Sequence, residues 1–144
     1  MIGLCGQIQG FKSVNCRLVL MMIFAAFFKK WDDGILVSAD HAGIRQLIDN
    51  LLSRNEIMIC SRDEWHGMRG MNLKIKTNEP RNGCTKSRDG ITLNLSCSAS
   101  IDFMRLLKSL ENSDKPCHQY FDMDDEITGS GLSVMISTGE YFMG

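Results

Sequence analysis

The chain has 144 residues, the length of one ordinary domain. With 44% hydrophobic and 23% charged residues, 13 glycines and 2 prolines, it is neither disordered nor collagen-like nor proline-rich. Sixteen basic against 17 acidic groups give a net charge of -1, which argues against a generally basic protein that coats nucleic acid. The first sixteen residues, with Gly3, Gly6 and Gly10, show no periodicity and read as a loose lead-in. The apolar run from Leu18 to Phe28 follows. It is far shorter than the roughly 20 residues a membrane helix needs. Lys12 and Arg17 precede it as in a secretion signal, but a cleavage site after Ala26 has Phe24 where a small residue is wanted. The run therefore reads as a buried strand or short helix, and the expected compartment is the cytoplasm.

Asp33-Gly34 then opens a strand, Ile35 to Ala39. Asp40 is placed to N-cap a helix whose apolar stripe is Ile44, Leu47, Ile48, Leu51 and Leu52. A strand from Ile57 to Cys60 leads through a polar loop, Arg62-Asp63-Glu64-Trp65-His66-Gly67, to an alternating strand of Met71, Leu73 and Ile75. The segment 78–88 is polar, carries Pro80 and Gly83, and reads as a linker. Beyond it the plan repeats. Asp89-Gly90 opens a strand from Ile91 to Leu95, and Ser98 or Ser100 is placed to cap a helix with the stripe Phe103, Met104, Leu107 and Leu110. A strand from Cys117 to Phe121 leads through an acidic loop to a last alternating strand of Leu132, Val134 and Ile136.

The two passages align at an offset of 56 over Asp33–Val37 and Asp89–Leu93, and at 61 over Gly70–Thr77 and Gly131–Thr138. This points to an internal pseudo-duplication, strand-helix-strand-strand twice over. The expected fold is α+β, a mainly antiparallel sheet with two helices packed on one face. Residues 1–144 are expected to form a single domain, with halves at about 31–77 and 89–138 joined by the linker 78–88, since neither half holds enough apolar residues alone.

Chemistry is harder to find. There is no G-x-S-x-G, P-loop, H-E-x-x-H or dinucleotide-binding glycine pattern, and Gly129-Ser130-Gly131 precedes a strand, so it reads as a turn. Cys5, Cys16, Cys60, Cys84, Cys97 and Cys117 are widely spaced with no C-x-x-C pair, which favours reduced thiols over a disulfide framework or a metal site. A zinc set from His66, Cys97, Cys117 and His118 lacks paired ligands, and a calcium loop at Asp122, Asp124 and Glu126 lacks the EF-hand glycine and spacing. His41 beside Asp40 reads as a surface histidine next to a cap. Cys117 and His118, adjacent on a strand, point to opposite faces and cannot serve as nucleophile and base. No catalytic residue, cofactor or metal is expected, and the chain does not read as an enzyme.

Charge placement is more telling. Residues 1–88 hold 13 basic and 8 acidic groups, whereas residues 89–144 hold 3 and 9. The excess is concentrated in Asp122, Asp124, Asp125 and Glu126. The corresponding loop of the first half offers Asp63, Glu64 and the aromatic Trp65. Together these seven residues are expected to form a surface for a basic protein partner, carboxylates speeding association and Trp65 anchoring it.

The run from Ile35 to Leu52, with Asp40-x-x-Gly43-Ile44 between strand and helix, resembles the opening of small bacterial immunity proteins, and the aromatic-acidic stretch from His118 to Ile136 is similar to how such chains end. The resemblance implies a cytoplasmic, non-enzymatic inhibitor of a polymorphic or contact-dependent growth-inhibition toxin. Such an inhibitor binds one cognate toxin domain and blocks its active site. A nuclease toxin has a basic cleft, and carboxylates imitate the phosphates such a cleft holds. No direct contact with nucleic acid or membrane is expected. Two alternatives stand beside this reading: a homo-oligomeric interaction or regulatory module joined through an edge strand, and a small enzyme or ligand-binding domain using His41, His66 or His118.

Overall fold

In a computed structural model the described residues are 7–8, 23–27, 34–61, 64–65, 68–88 and 90–139. They form eleven strands and two helices in the order β1 (Gln7–Ile8), β2 (Ile23–Phe27), β3 (Gly34–Ala39), α1 (His41–Arg54), β4 (Glu56–Cys60), β5 (Glu64–Trp65), β6 (Met68–Arg69), β7 (Asn72–Glu79), β8 (Gly83–Lys86), β9 (Gly90–Ser96), α2 (Cys97–Glu111), β10 (Cys117–Asp124) and β11 (Gly131–Thr138). The fold is α+β, and most strand pairs are antiparallel. The strands divide between two mixed sheets, β1-β4-β7-β9-β8 and β10-β11-β3-β2, with β5 and β6 as a separate small hairpin.

The duplication is written into the strand pairing. In each half the strand after the helix pairs antiparallel with the next long strand, β4 with β7 and β10 with β11. That strand then pairs in parallel with the opening strand of the other half, β7 with β9 and β11 with β3. Asn72 faces Gly90 and Ser133 faces Gly34, so the offsets of 56 and 61 return as one register in both sheets. Finally, β2 lies antiparallel on β3, as β8 does on β9. Each helix thus carries the chain from one sheet to the other, and each sheet takes strands from both halves. The expected linker 78–88 is more than a connection, because it contains β8, the edge strand of the first sheet.

Local chemistry explains these elements. Gly90 is required where β9 enters the sheet, since a Cβ there would lie 1.8 Å from the Asn72 carbonyl oxygen. Helix α1 starts as expected, with the Asp40 carboxylate accepting from Gly43 N at 2.7 Å, and ends at Asn55 in the left-handed conformation (φ 56°). Helix α2 is capped by Ser96, which sits at the position of Asp40, and not by Ser98 or Ser100. Ser100 lies inside the helix instead. Its hydroxyl donates to the Ser96 carbonyl at 2.7 Å and accepts from Asn78 N at 2.9 Å. The apolar run seen in the sequence supplies β2, of which Ile23 to Ala26 are fully buried; residues 18–22 and 28 of the run lie outside the described set.

One core serves both halves. The inner faces of β3, β4, β7, β9, β10 and β11 meet Ile44, Leu47, Ile48 and Leu51 of α1 and Phe103, Leu107 and Leu110 of α2. Leu47 and Phe103 hold equivalent places in the two stripes, and Phe103 packs edge-to-face on Phe121 at 5.1 Å. Leu52, expected in the stripe, is instead 65% exposed.

Candidate functional site

The acidic stretch at the end of β10 splits into two parts. Asp122 and Asp124 lie within the strand, where Phe121 and Met123 alternate inward and the two carboxylates face solvent. Ser133 Oγ donates to Asp122 Oδ1 at 2.7 Å across the strand pair. A shallow depression of about 360 Å³ adjoins them, lined by Asp122, Asp124, Gly131, Ser133 and Gly34. The strand β10 is the outer strand of its sheet, and among the described residues no strand lies beyond it.

Asp125 and Glu126 are used differently. Asp125 is only 6% exposed, so it leaves the expected binding row. Its carboxylate accepts from the backbone N–H of Cys84 at 2.9 Å, Ile127 at 2.8 Å and Thr128 at 3.0 Å. The hydrogen bonds from Thr128, Cys84 and Ile127 hold its carboxyl below the usual carboxylate range, because they stabilise the charged form. Glu126 is exposed but bound to the segment between β7 and β8: Asn82 N donates to its Oε2 at 2.8 Å, and its own N–H donates to the Asn82 carbonyl at 3.1 Å. These two carboxylates fasten β8 to the end of β10. A cluster of acidic letters in the sequence gave no sign of that division, since the donors that tie the two carboxylates to the other sheet, Cys84 N and Asn82 N, stand 41 and 44 residues away.

The first half has a neutral version of the same fastening. Ala25 of β2 donates to Ser61 Oγ at 2.9 Å, as Cys84 of β8 donates to Asp125, and Ser61 is buried. Of the remaining expected binding residues, Glu64 and Trp65 form β5, which pairs with β6 through Glu64–Arg69 and Trp65–Met68. Asp63 and His66 lie outside the described residues. The acidic strand of the second half and the hairpin of the first therefore belong to different sheets.

The other histidines are scattered. His41 stands at the start of α1 with its Nε2 2.7 Å from the Ser113 carbonyl, and the His118 ring meets Tyr120 edge-to-face at 5.3 Å on β10. Cys117 Sγ lies 3.2 Å from Ser113 Oγ, on the opposite side of the strand from His118. Cys60, Cys97 and Cys117 are free cysteines. Among the described residues no three His, Cys, Asp or Glu side chains are grouped closely enough to hold a metal ion. No helix among them is long and apolar enough to cross a membrane.

A second concavity, not foreseen from the sequence, lies between the C-terminal end of α1 and the N-terminal end of α2. It measures about 510 Å³ and is lined by Leu52, Ile101, Met104, Arg105, Lys108 and the floor around Asn55 and Asn78. At the opposite end of the helix pair, Arg45 is bound to Glu111 at 3.0 Å. The duplication places Ile101 where Arg45 stands and Asn55 where Glu111 stands, so the ionic closure of one end is missing at the other.

No protein-family model, curated protein or solved structure matches the chain.

Proposed function

We propose that this protein is a cytoplasmic, non-enzymatic inhibitor of the immunity type, which binds a cognate bacterial toxin domain and obstructs its active site. The observation that carries the reading is the pair of exposed carboxylates, Asp122 and Asp124, on an outer strand with no strand beyond it among the described residues. The Asp40-x-x-Gly43 motif adds little, since its carboxylate is occupied in capping α1 and would serve many folds equally. Among the described residues, the acidic row has no such internal duty beyond the one contact of Asp122 with Ser133. Carboxylates held on a rigid strand suit a basic cleft, because they imitate phosphates and steer association.

The test is protection and binding. The polypeptide encoded beside this gene is expressed in cells with and without the chain, and the purified pair is followed by stopped-flow mixing at low and physiological salt. The reading expects survival only when the chain is present, and an association rate that falls by about tenfold or more as salt screens the charges. Toxicity that the chain does not relieve, together with no complex by titration calorimetry, would overturn it.

A further inference from the structure

The two halves differ at one edge. Strand β4 carries a short added strand, β1, paired antiparallel with Gln7 opposite Cys60 and Ile8 opposite Ile59. The counterpart of β4 is β10: Ile59 faces Leu73 on β7 as Phe121 faces Val134 on β11, and Cys60 faces Asn72 as Asp122 faces Ser133. The positions that hold β1 in the first half are therefore Phe121 and Asp122 in the second, where no described strand is added.

The backbone of β10 is set up to receive one. Asp125 N donates to the Ser130 carbonyl at 2.8 Å, which marks a hydrogen-bonded pair. Antiparallel ladders alternate such pairs with open ones. Met123 and Phe121 then bond inward to β11, while the N–H and C=O groups of Asp122 and Asp124 are directed away from it. In the first half, Ser61 N donates to the Met71 carbonyl, so Ile59 bonds inward and the backbone of Cys60 is directed outward, on the side where β1 lies. The same strand carries the acidic side chains of Asp122 and Asp124, which select a cationic occupant and disfavour an acidic one.

We infer that the β10 edge binds its partner by strand addition: an extended basic segment of the partner protein pairs antiparallel with β10 around Phe121 and Asp122, in the register that β1 adopts on β4. This rests on the proposed role as a protein-binding inhibitor and specifies how the contact is made. Main-chain hydrogen bonds would provide attachment, and cationic side chains beside Asp122 and Asp124 would provide selectivity.

The probe is a short peptide of alternating Lys and Val, added to the full chain and followed by amide hydrogen exchange and calorimetry. The expected result is slowed exchange at Asp122 and Asp124, with binding weakened about tenfold or more when alternate peptide nitrogens are methylated, since methylation removes the donors that a ladder needs. A Glu–Val peptide should not bind. Asp122→Pro should abolish binding while leaving the fold intact, because proline is tolerated on a strand edge where its missing N–H faces outward. The methylated peptide serves as the control should that variant fail to fold, since it leaves the protein unaltered. Equal binding of methylated and unmethylated peptides, no slowing at Asp122 and Asp124, or a stable dimer of the chain with those amides already protected would each overturn strand addition. Inhibition of the toxin partner with β10 amides unchanged would overturn this inference alone, whereas no toxin binding at all would remove the inhibitor reading with it.

Discussion

The two halves of this chain use one plan but finish it with different chemistry. In the first, the turn after β4 holds β2 through a buried hydroxyl, Ser61, and the outer edge of β4 carries β1. In the second, the turn after β10 holds β8 through a carboxylate, Asp125, and the outer edge of β10 bears Asp122 and Asp124. The helix pair shows the same pattern, closed by Arg45 and Glu111 at one end and left as an open groove of mixed polar and apolar lining at the other. Where the copies agree, the residues carry the fold: opening glycines, caps, apolar stripes and alternating strands. Where they diverge, the surface has been altered, and that is where a specific partner must be sought.

The comparison is tested most severely in the core. Leu47 and Phe103 occupy equivalent buried positions, and their replacement by Ala should cost about 2–5 and about 3–5 kcal/mol respectively, from lost burial plus the cavity left behind. Because each sheet takes strands from both halves, both variants should lower the midpoint of one shared urea transition, read by tryptophan fluorescence and circular dichroism. Two separated transitions in either variant would mean that the halves fold independently, against the interleaved strand order.

Much of this plan was legible in the sequence. The offsets of 56 and 61 are the register of the two parallel strand pairs, because strand openings and alternation leave a periodic trace in the letters. The exchange of strands between sheets was not legible, since a repeat shows which units recur and not which unit pairs with which. The polar segment 78–88 looked like a linker because β8 is a short edge strand with little apolar content. Ser96 does not stand out as the cap in the sequence because Ser98 and Ser100 follow it closely, and only the geometry tells them apart. For the candidate site, the acidic run was visible but its division was not. Alternation separates Asp122 and Asp124 from the core, whereas the burial of Asp125 depends on a distant strand edge that presents the Cys84 N–H.

The two fastenings give the next prediction. Ser61→Ala leaves the Ala25 N–H buried without its acceptor and should cost about 1–3 kcal/mol, equally at all pH values. Asp125→Asn keeps the shape but removes the charge that the backbone N–H groups stabilise, so its effect must depend on pH. The folded-state pKa of Asp125 is lowered from 3.8, so its contribution is present above the unfolded value and is lost as pH falls through the depressed folded one. Wild-type stability should therefore decline on acidification across the carboxylate range, and Asp125→Asn should flatten part of that decline while being less stable than wild type at neutral pH. Urea midpoints from neutral pH down to about pH 3 for the two variants measure this. A Ser61→Ala difference that varies with pH, or an Asp125→Asn difference that does not, would break the assignment of these residues as neutral and charged versions of one fastening.

The smallest expected effect on stability belongs to Asp122 and Asp124, and it sharpens the contrast with their neighbour. Both face solvent, and the only acceptor role between them among the described residues, Asp122 with the Ser133 hydroxyl at 2.7 Å, can be kept by an amide oxygen. Joint replacement by Asn should change the unfolding free energy by no more than about 0.5 kcal/mol, as for most surface substitutions away from caps and buried polar groups. The sign should lean towards stabilisation at low salt, because residues 89–144 carry 9 acidic against 3 basic groups and two charges leave the crowded end of β10. Salt near 0.15 M shortens the reach of such repulsion to about 8 Å and should remove most of the gain. Urea unfolding of the double variant at the two salt concentrations reads both the size and the sign. A loss comparable with that of Ser61→Ala would mean that Asp122 and Asp124 hold the fold together as Asp125 does, and the outer row of β10 would no longer be a surface free to serve a partner.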